Sequence, residues 1–473
     1  MSNDALTFDL VVLGGGPAGV TAAKSAALAG LRVALISAPS LMGYGLEGVY
    51  KSKALWELAR EYHVMQSRWG SFAARPDMAG LADSAQRGTD HLRAAHRHEL
   101  GRLGITLVEA RGHFLDAHTL RAGERTLRGE AILVTTGTRP RRPNHIAVDG
   151  ELILTADEIV GLKHIPESLL VLGAGVIGCE FASIFAAFGT QVTLLDSRAR
   201  ILGHEDADVS ALLARSFARL GVDIRPEARC VAMEVVDGRV RTTLASGEVL
   251  QTSHALVAIG RTPNTDGLGL EQAGLVTDAQ GYLPVGPELR TTVPHIFAAG
   301  DVGLRATALD LCLVHVAEAE ARQVVAALTG RPLAADMNHV PFLVFTLPLI
   351  AGAGDGEDAA RARHGAVRVG KFANLRNHRA HAKGQRSGFV KLIVGPEGDD
   401  RVLGVRAVGD GVDTVVGEVS LMIQNHMPYT RLLDAIHAHP SLSESLEGAA
   451  RIICRDAVGY QEGEDLAADF WID

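Results

Sequence analysis

Cysteine is scarce, and its scarcity excludes several chemistries. The chain has four cysteines, Cys179, Cys230, Cys312 and Cys454, scattered without paired spacing. They suggest neither a disulfide framework nor a zinc site, and no metal centre is expected. Long apolar runs are missing too. No stretch approaches the roughly 20 residues that span a bilayer. The first apolar run, Leu10 to Leu13, comes almost at once and leads directly into glycines, so it does not read as an export signal. A cytoplasmic location is the default expectation. Positive charge is not in excess either. A net charge of -9 argues against a general nucleic-acid binder. The basic stretch from Arg361 to Arg386 reads as a solvated loop and strand face.

What is present points to a multidomain globular chain. At 473 residues it is too long for one hydrophobic core, and roughly two to four domains are expected. Hydrophobic residues make up 47% and charged residues 21%, a globular balance. The 52 glycines imply many tight turns and close backbone approaches.

The first motif opens the chain. Phe8 to Leu13 reads as a short buried parallel strand. Gly14-Gly15-Gly16-Pro17-Ala18-Gly19 follows, then an alanine-rich helix from Val20 to Ala29, then a strand from Leu31 to Ile36. Glycine is the residue this turn needs. Gly14 makes the tight turn, Gly16 lets backbone N–H groups approach a pyrophosphate, and Gly19 lets helix and strand pack closely. The helix N-terminus then faces the phosphate charge. At the end of the second strand an acidic residue is expected to hold a ribose, and here stands Ser37. A hydroxyl still bonds a ribose, but losing the charge-assisted bond costs on the order of 1.5–3 kcal/mol.

The second motif repeats the pattern. Ser168 to Leu172 is the strand, Gly173-Ala174-Gly175-Val176-Ile177-Gly178 the turn, Cys179 to Phe188 the helix and Gln191 to Leu195 the returning strand. Asp196 closes it at the spacing of a ribose-binding carboxylate. A carboxylate accepts the hydroxyls of the NAD ribose and repels the 2′-phosphate of NADP, so NAD(H) is expected, with NADP(H) as the alternative. Arg198 and Arg200 lie just beyond; they read as solvated surface charges, with a softening of the preference for NAD as the alternative.

Three more segments carry a family signature: ILVTTGTRP (132–140), LVAIGRTPN (256–264) and PHIFAAGDV (294–302). With the two glycine motifs, the chain resembles the class I pyridine nucleotide-disulfide oxidoreductases, the family of dihydrolipoamide dehydrogenase and soluble pyridine nucleotide transhydrogenase. The resemblance covers nearly the whole chain, because GFVKLIVGPEG, RVLGVRAVG and HAHPSLSE match the family's C-terminal interface segments. It implies an α/β fold with two Rossmann-like dinucleotide-binding domains plus a C-terminal α+β dimerisation domain. The FAD domain would be discontinuous, at 1–148 and 274–339, around a nicotinamide domain at 149–273. The interface domain would occupy 340–473, with Pro332 and Pro341 near its start. By the same resemblance Asp301 binds the FAD ribitol, and Thr136 and Gly137 form a turn near FAD.

One departure stands out. The family carries two cysteines just before a Pro-Ser-Lys-Ala-Leu segment, and they form its redox-active disulfide. Here the anchor Ser52-Lys53-Ala54-Leu55 is intact, but Val49 stands at the second cysteine and Tyr44 or Gly45 at the first. Thiol–disulfide exchange needs a thiolate, which these residues lack. Other parts persist. Lys53 and Glu180 match a pair that the family keeps near the flavin N5. His439 and Glu444 match its acid–base pair, which serves the partner subunit's flavin. Without thiols, His439 either protonates another acceptor, such as a quinone, or remains as an interface hydrogen bond. Leu349 stands where the family has an acidic residue, and His437, His315 and His426 read as structural.

The resulting expectation is a homodimeric FAD-dependent NAD(P)H oxidoreductase. It passes two electrons from flavin to a small-molecule, non-disulfide acceptor, either a second pyridine nucleotide or a quinone. The alternative is a non-catalytic or redox-sensing flavoprotein. Neither reading involves nucleic acid or a membrane span.

Overall fold

The computed structural model describes residues 5–70, 76–304, 312–331, 337 and 339–455. The outer ends of the expected domains, at 1–4 and 456–473, and Pro332 lie outside the described residues.

The chain builds strand β1 (Leu6–Leu13), helix α1 (Pro17–Leu28) and strand β2 (Val33–Ser37). The helix starts earlier than the alanine-rich run suggests, because Pro17 occupies its first turn with a fixed φ suited to that place. β1 pairs in parallel with β2 on one side, Val11 opposite Ala34, and with Arg125–Val134 on the other. Thr106–Glu109 and Ile296–Ala298 extend the parallel part, and an antiparallel edge brings the sheet to seven strands. β1 is fully buried along its second half, as a parallel strand covered on both faces must be.

After α2 (Lys51–Trp69), the second unit repeats the first with β3 (Ser168–Leu172), α3 (Val176–Ala187) and β4 (Gln191–Leu195). Its five strands are all parallel, with Leu170 opposite Thr193. A three-stranded antiparallel meander, Cys230 to Thr252, flanks it. A third sheet of five antiparallel strands follows, from Phe342 to Val408. Its three inner strands, Ile350–Gly354, Phe389–Val394 and Val402–Val408, are buried at every position. The whole is α/β: two doubly wound units and an α+β body.

One continuous apolar core joins α2, α3 and the third sheet through Leu55, Trp56, Phe181, Phe185, Val344 and Val405. Helix α4 (Ala207–Arg219) meets the third sheet through buried charge. The Lys391 ammonium is only 2% exposed and lies 2.7 Å from Asp206 and 2.8 Å from Asp208, while Arg406 Nε donates to Glu205 at 2.8 Å. Charges this deep persist only when paired. Among the described residues, no helix is long and apolar enough to cross a membrane, and no cluster of three or more His, Cys, Asp or Glu is placed to hold a metal ion.

Candidate functional site

In each glycine turn the first and last glycines are packed against backbone, and Gly16 in one and Gly175 in the other face open space. At Gly14, φ is +121°, and a Cβ would sit 2.4 Å from the Thr135 carbonyl oxygen. At Gly19 it would sit 1.9 Å from the Gly14 oxygen. Gly16, at the head of α1, would meet nothing nearer than 3.9 Å. The second turn behaves alike. A Cβ at Gly173 (φ +105°) or Gly178 would strike backbone oxygens at 2.5 and 1.8 Å, whereas at Gly175 nothing lies within 4 Å. Neither helix receives a side-chain cap at its first turn. Both therefore present unpaired N–H groups to an open side, which is what a pyrophosphate requires.

Beside the first turn, three expected residues come together. Thr138–Pro140 pairs with Arg261–Pro263, and Asn264 Nδ2 donates to the Thr136 carbonyl at 3.0 Å. The Asn264 N–H donates to the Gly137 carbonyl at 2.9 Å. Thr138 Oγ1 donates to Asp301 at 3.1 Å. Among the described residues, Thr136 Oγ1 is buried with no hydrogen-bond partner. Such an orphan fits an FAD laid along Thr136, Gly137 and Asp301. Ser37 occupies the ribose position at the end of β2 but is turned inward. It is 2% exposed and donates to the Ala38 carbonyl at 2.8 Å.

Asp196 corresponds to Ser37 in the second unit. Its carboxylate accepts four bonds: the Ala174 N–H at 2.7 Å, the Arg198 N–H at 2.8 Å, and Arg198 Nε and Nη2 at 3.0 Å each. Burial pushes this carboxyl up, but the Arg198 and Ala174 donors outweigh it and hold it below the ordinary range. Arg198 is the surface charge expected, its side chain 54% exposed, and it also covers Asp196 with a bidentate pair. Arg200 donates to the carbonyls of Gly203 and Glu205. Arg198→Ala should remove one donor from each carboxylate oxygen, leaving only the backbone N–H bonds, and so open Asp196 to ribose hydroxyls while removing a cation suited to a 2′-phosphate. The ratio of NADH to NADPH efficiency in flavin reduction is expected to rise about tenfold, one charge-assisted bond of ~1.5 kcal/mol. An unchanged or lower ratio would show that Arg198 plays no part in the choice.

Lys53 and Glu180 are brought together from α2 and α3, with Lys53 Nζ 2.9 and 3.1 Å from the two carboxylate oxygens. Glu180 is 6% exposed and also accepts the Phe345 N–H at 2.9 Å. Lys53 Nζ lies 4.4 Å from the Phe345 ring centre. Trp56 Nε1 donates to the Thr346 carbonyl at 3.0 Å and meets Phe345 edge-on. The contributions of Phe345 and Trp56 were not visible in the sequence, because no motif or period links them to Lys53.

The segment before this lysine is a π-helical turn, Gly45–Tyr50, running into α2. Gly45 packs on Pro17 at the head of α1, and Gly48 packs under the Tyr44 ring. The Arg261 guanidinium covers that ring at 4.0 Å, while its Nε and Nη2 donate to Thr138 Oγ1 and O at 2.7 and 3.0 Å. Among the described residues Nη1 has no hydrogen-bond partner, and stacking on the ring compensates it. Burial pushes the Tyr44 phenol up to about 12, so it stays protonated. No disulfide joins any of the four cysteines. Cys179 lies beside Glu180 in sequence, but burial pushes its thiol far up, and Sγ donates to the Ala174 carbonyl at 3.4 Å. A thiol in that state is inert.

His439 Nδ1 lies 2.7 Å from Glu444 Oε1, and the Ser441 N–H donates to Glu444 Oε2 at 2.8 Å. Burial pushes the Glu444 carboxyl up, but His439 and the Ser441 N–H hold it below the ordinary range. The His439 side chain is 60% exposed. Among the described residues, no hydrogen bond or ion pair joins this pair to Lys53 or Glu180. His437 is buried against Glu418 at 3.2 Å, His315 contacts the Pro341 carbonyl at 2.7 Å, and Leu349 is buried.

Comparisons with known proteins agree with this geometry. The family described as pyridine nucleotide-disulphide oxidoreductase matches residues 8–321, and its dimerisation domain matches 340–450. The dihydrolipoyl dehydrogenase of Chlamydia trachomatis is 33% identical over 453 residues, covering 92% of this chain and 95% of the relative. That of Bacillus subtilis is 32% identical over 458 residues, covering 93% and 97%. Among solved structures, LpdA from Mycobacterium tuberculosis superposes with a TM-score of 0.87 at 28% identity, over 94% of this chain and 99% of that one. The HOCl-induced flavoprotein disulfide reductase RclA from Escherichia coli gives 0.85 at 27%, over 94% and 100%.

Proposed function

The chain belongs to the pyridine nucleotide-disulphide oxidoreductase family, and from that premise we propose an FAD-dependent NAD(P)H oxidoreductase whose acceptor is not a disulfide. The acceptor is a second pyridine nucleotide, a quinone or a similar small molecule. We assign FAD to residues 1–148 with 274–339, the nicotinamide to 149–273, and pairing of two identical chains to 340–473. FAD, when bound, supplies the two-electron relay between donor and acceptor.

The observation that carries the reading is the turn Tyr44–Tyr50. It keeps the family's Ser-Lys-Ala-Leu anchor at 52–55 but offers Tyr44 and Val49 in place of thiols. Tyr44 is fixed there under Arg261. Disulfide exchange at this point has no attacking sulfur, and this departs from the names borne by the dihydrolipoyl dehydrogenases. The chain's other residues support catalysis rather than a relic. Lys53 brings a fixed cation held by Glu180. The open sides of Gly16 and Gly175 suit two dinucleotides, and His439 with Glu444 forms an oriented acid–base pair.

The test starts from purified, FAD-loaded dimer under anaerobic conditions. NADH is expected to bleach the flavin, and benzoquinone or thio-NAD to restore its colour with ping-pong turnover indifferent to thiol alkylation. Lipoamide should not be turned over at enzymatic rates. Brisk dihydrolipoamide oxidation that alkylation abolishes would overturn the proposal. Tight flavin binding without bleaching would replace it with a redox-silent, sensing role.

A further inference from the structure

The acid–base pair is longer than the sequence reading made it. His378 Nδ1 lies 3.4 Å from His439 Nε2, and the two rings meet edge-on with centres 5.1 Å apart. His439 uses its other nitrogen, Nδ1, on Glu444. A neutral His439 that donates from Nδ1 to a carboxylate has a bare Nε2. The atom facing that lone pair is a nitrogen of a second imidazole.

The second imidazole is held in place. Asn377, 3% exposed, caps α5 (His378–Lys383), and its Oδ1 accepts the N–H groups of Arg379 and Ala380. The same side chain donates through Nδ2 to the Ser441 carbonyl and to Ser445 Oγ, both at 2.9 Å. Ser441 is the residue whose N–H orients Glu444, and Ser445 opens helix α6 (Glu444–Ile453) next to it. One buried amide thus fastens the segment bearing His378 to the turn bearing His439 and Glu444. The resulting row is His378, His439, Glu444. His378 itself is exposed, so water reaches its outer nitrogen.

From this geometry we propose that His378 is a positioning residue that supplies His439 Nε2 with the proton an oxygen-centred acceptor needs. The inference rests on the non-disulfide reading and narrows it. Two-electron reduction of a quinone takes up two protons. A nicotinamide acceptor takes up a hydride and needs no protein acid. In the proposed step, neutral His378, bearing its proton on Nδ1, takes a proton from solvent at its bare outer Nε2 while its Nδ1–H bond breaks and an Nε2–H bond forms on His439. Loss of the Nε2 proton to solvent and return of one to Nδ1 then restores the starting tautomer of His378. His439, charged and steadied by Glu444, gives its Nε2 proton to the reduced quinone oxygen.

The test compares turnover with benzoquinone to turnover with thio-NAD, both driven by NADH on the holoenzyme. The thio-NAD rate corrects for folding and flavin content. In His378→Ala the benzoquinone to thio-NAD ratio is expected to fall about tenfold, a fraction of the usual acid–base contribution. Added imidazole should restore much of it. His378→Asn keeps an N–H donor toward Nε2 but carries no proton, so it should be as slow as the alanine variant. An asparagine variant with the parent ratio, or an alanine variant with the parent ratio, overturns the relay. A parent enzyme that uses thio-NAD but not benzoquinone overturns it as well while leaving the proposed function standing. A parent bleached by NADH and reoxidised by neither acceptor overturns the function itself, and the relay with it.

Discussion

Tyr44→Cys combined with Val49→Cys is expected to give the chain a dihydrolipoamide-oxidising activity about a hundredfold or more above the parent. The two positions are five residues apart, and Tyr44 heads the π-helical turn that contains Val49. A helix closed by bonds between residues five apart sets such positions one turn above each other. Gly48 already presses against the Tyr44 side chain, so a smaller side chain at 44 lies over the turn without obstruction. The proposed roles of the neighbouring residues are those that dithiol chemistry needs: Lys53 and Glu180 follow in register, and His439 with Glu444 would supply the base. Either cysteine alone should do nothing, because exchange needs an attacking thiolate and a partner sulfur. Losing the Arg261 stack should cost about 1–2 kcal/mol of stability, visible as a modest fall in unfolding midpoint. The diagnostic signs are a long-wavelength thiolate–flavin absorption on reduction and inactivation by alkylating reagents. If thiol titration shows the pair oxidised and dihydrolipoamide is still ignored, the missing sulfur is not what separates this chain from its relatives.

Much of the layout was legible because it rests on local necessity. β3 and β4 lie where the apolar runs put them, since a buried parallel strand has to be a short continuous apolar stretch. The glycine turns announced themselves because no other residue fits against backbone oxygens at 1.8–2.5 Å. The helix starts were less clear. α3 begins at Val176, before the expected Cys179, because a residue in the first turn carries no periodic signal. The site was legible only where the resemblance supplied it. Nothing local ties Tyr44 to Arg261, or His378 to His439. Those contacts form when separate elements close on each other, through Thr138 in one case and Asn377 in the other. The Arg198 clamp on Asp196 is local, but it depends on a loop geometry that residue types alone do not dictate.

Lys53→Ala is the most damaging single change expected at the site, with a loss of about 3 kcal/mol of stability, the low end for a buried ion pair because Lys53 is partly exposed. The asymmetry of the pair is the reason. Glu180 is 8% exposed by side chain and Lys53 28%. Among the described residues, removing the lysine leaves a desolvated carboxylate with the Phe345 N–H as its one remaining hydrogen-bond donor. The pair also stands where three bodies meet: α2 from the first unit, α3 from the second and the Phe345 segment leading into the third sheet. A charge stranded there loosens all three at once, so the urea midpoint and the flavin content should fall together. Lys53→Ala with Glu180→Leu should recover most of the stability, since neither charge is then left alone. Activity should not follow. The ammonium is proposed to favour electron density on the bound ring, and removing a preorganised charge of that kind costs roughly a hundredfold in NADH-driven flavin reduction. The double variant would then be stable but slow, and Lys53→Arg would be intermediate in rate. A double variant that is both stable and fast would reduce Lys53 to a structural counter-ion for Glu180.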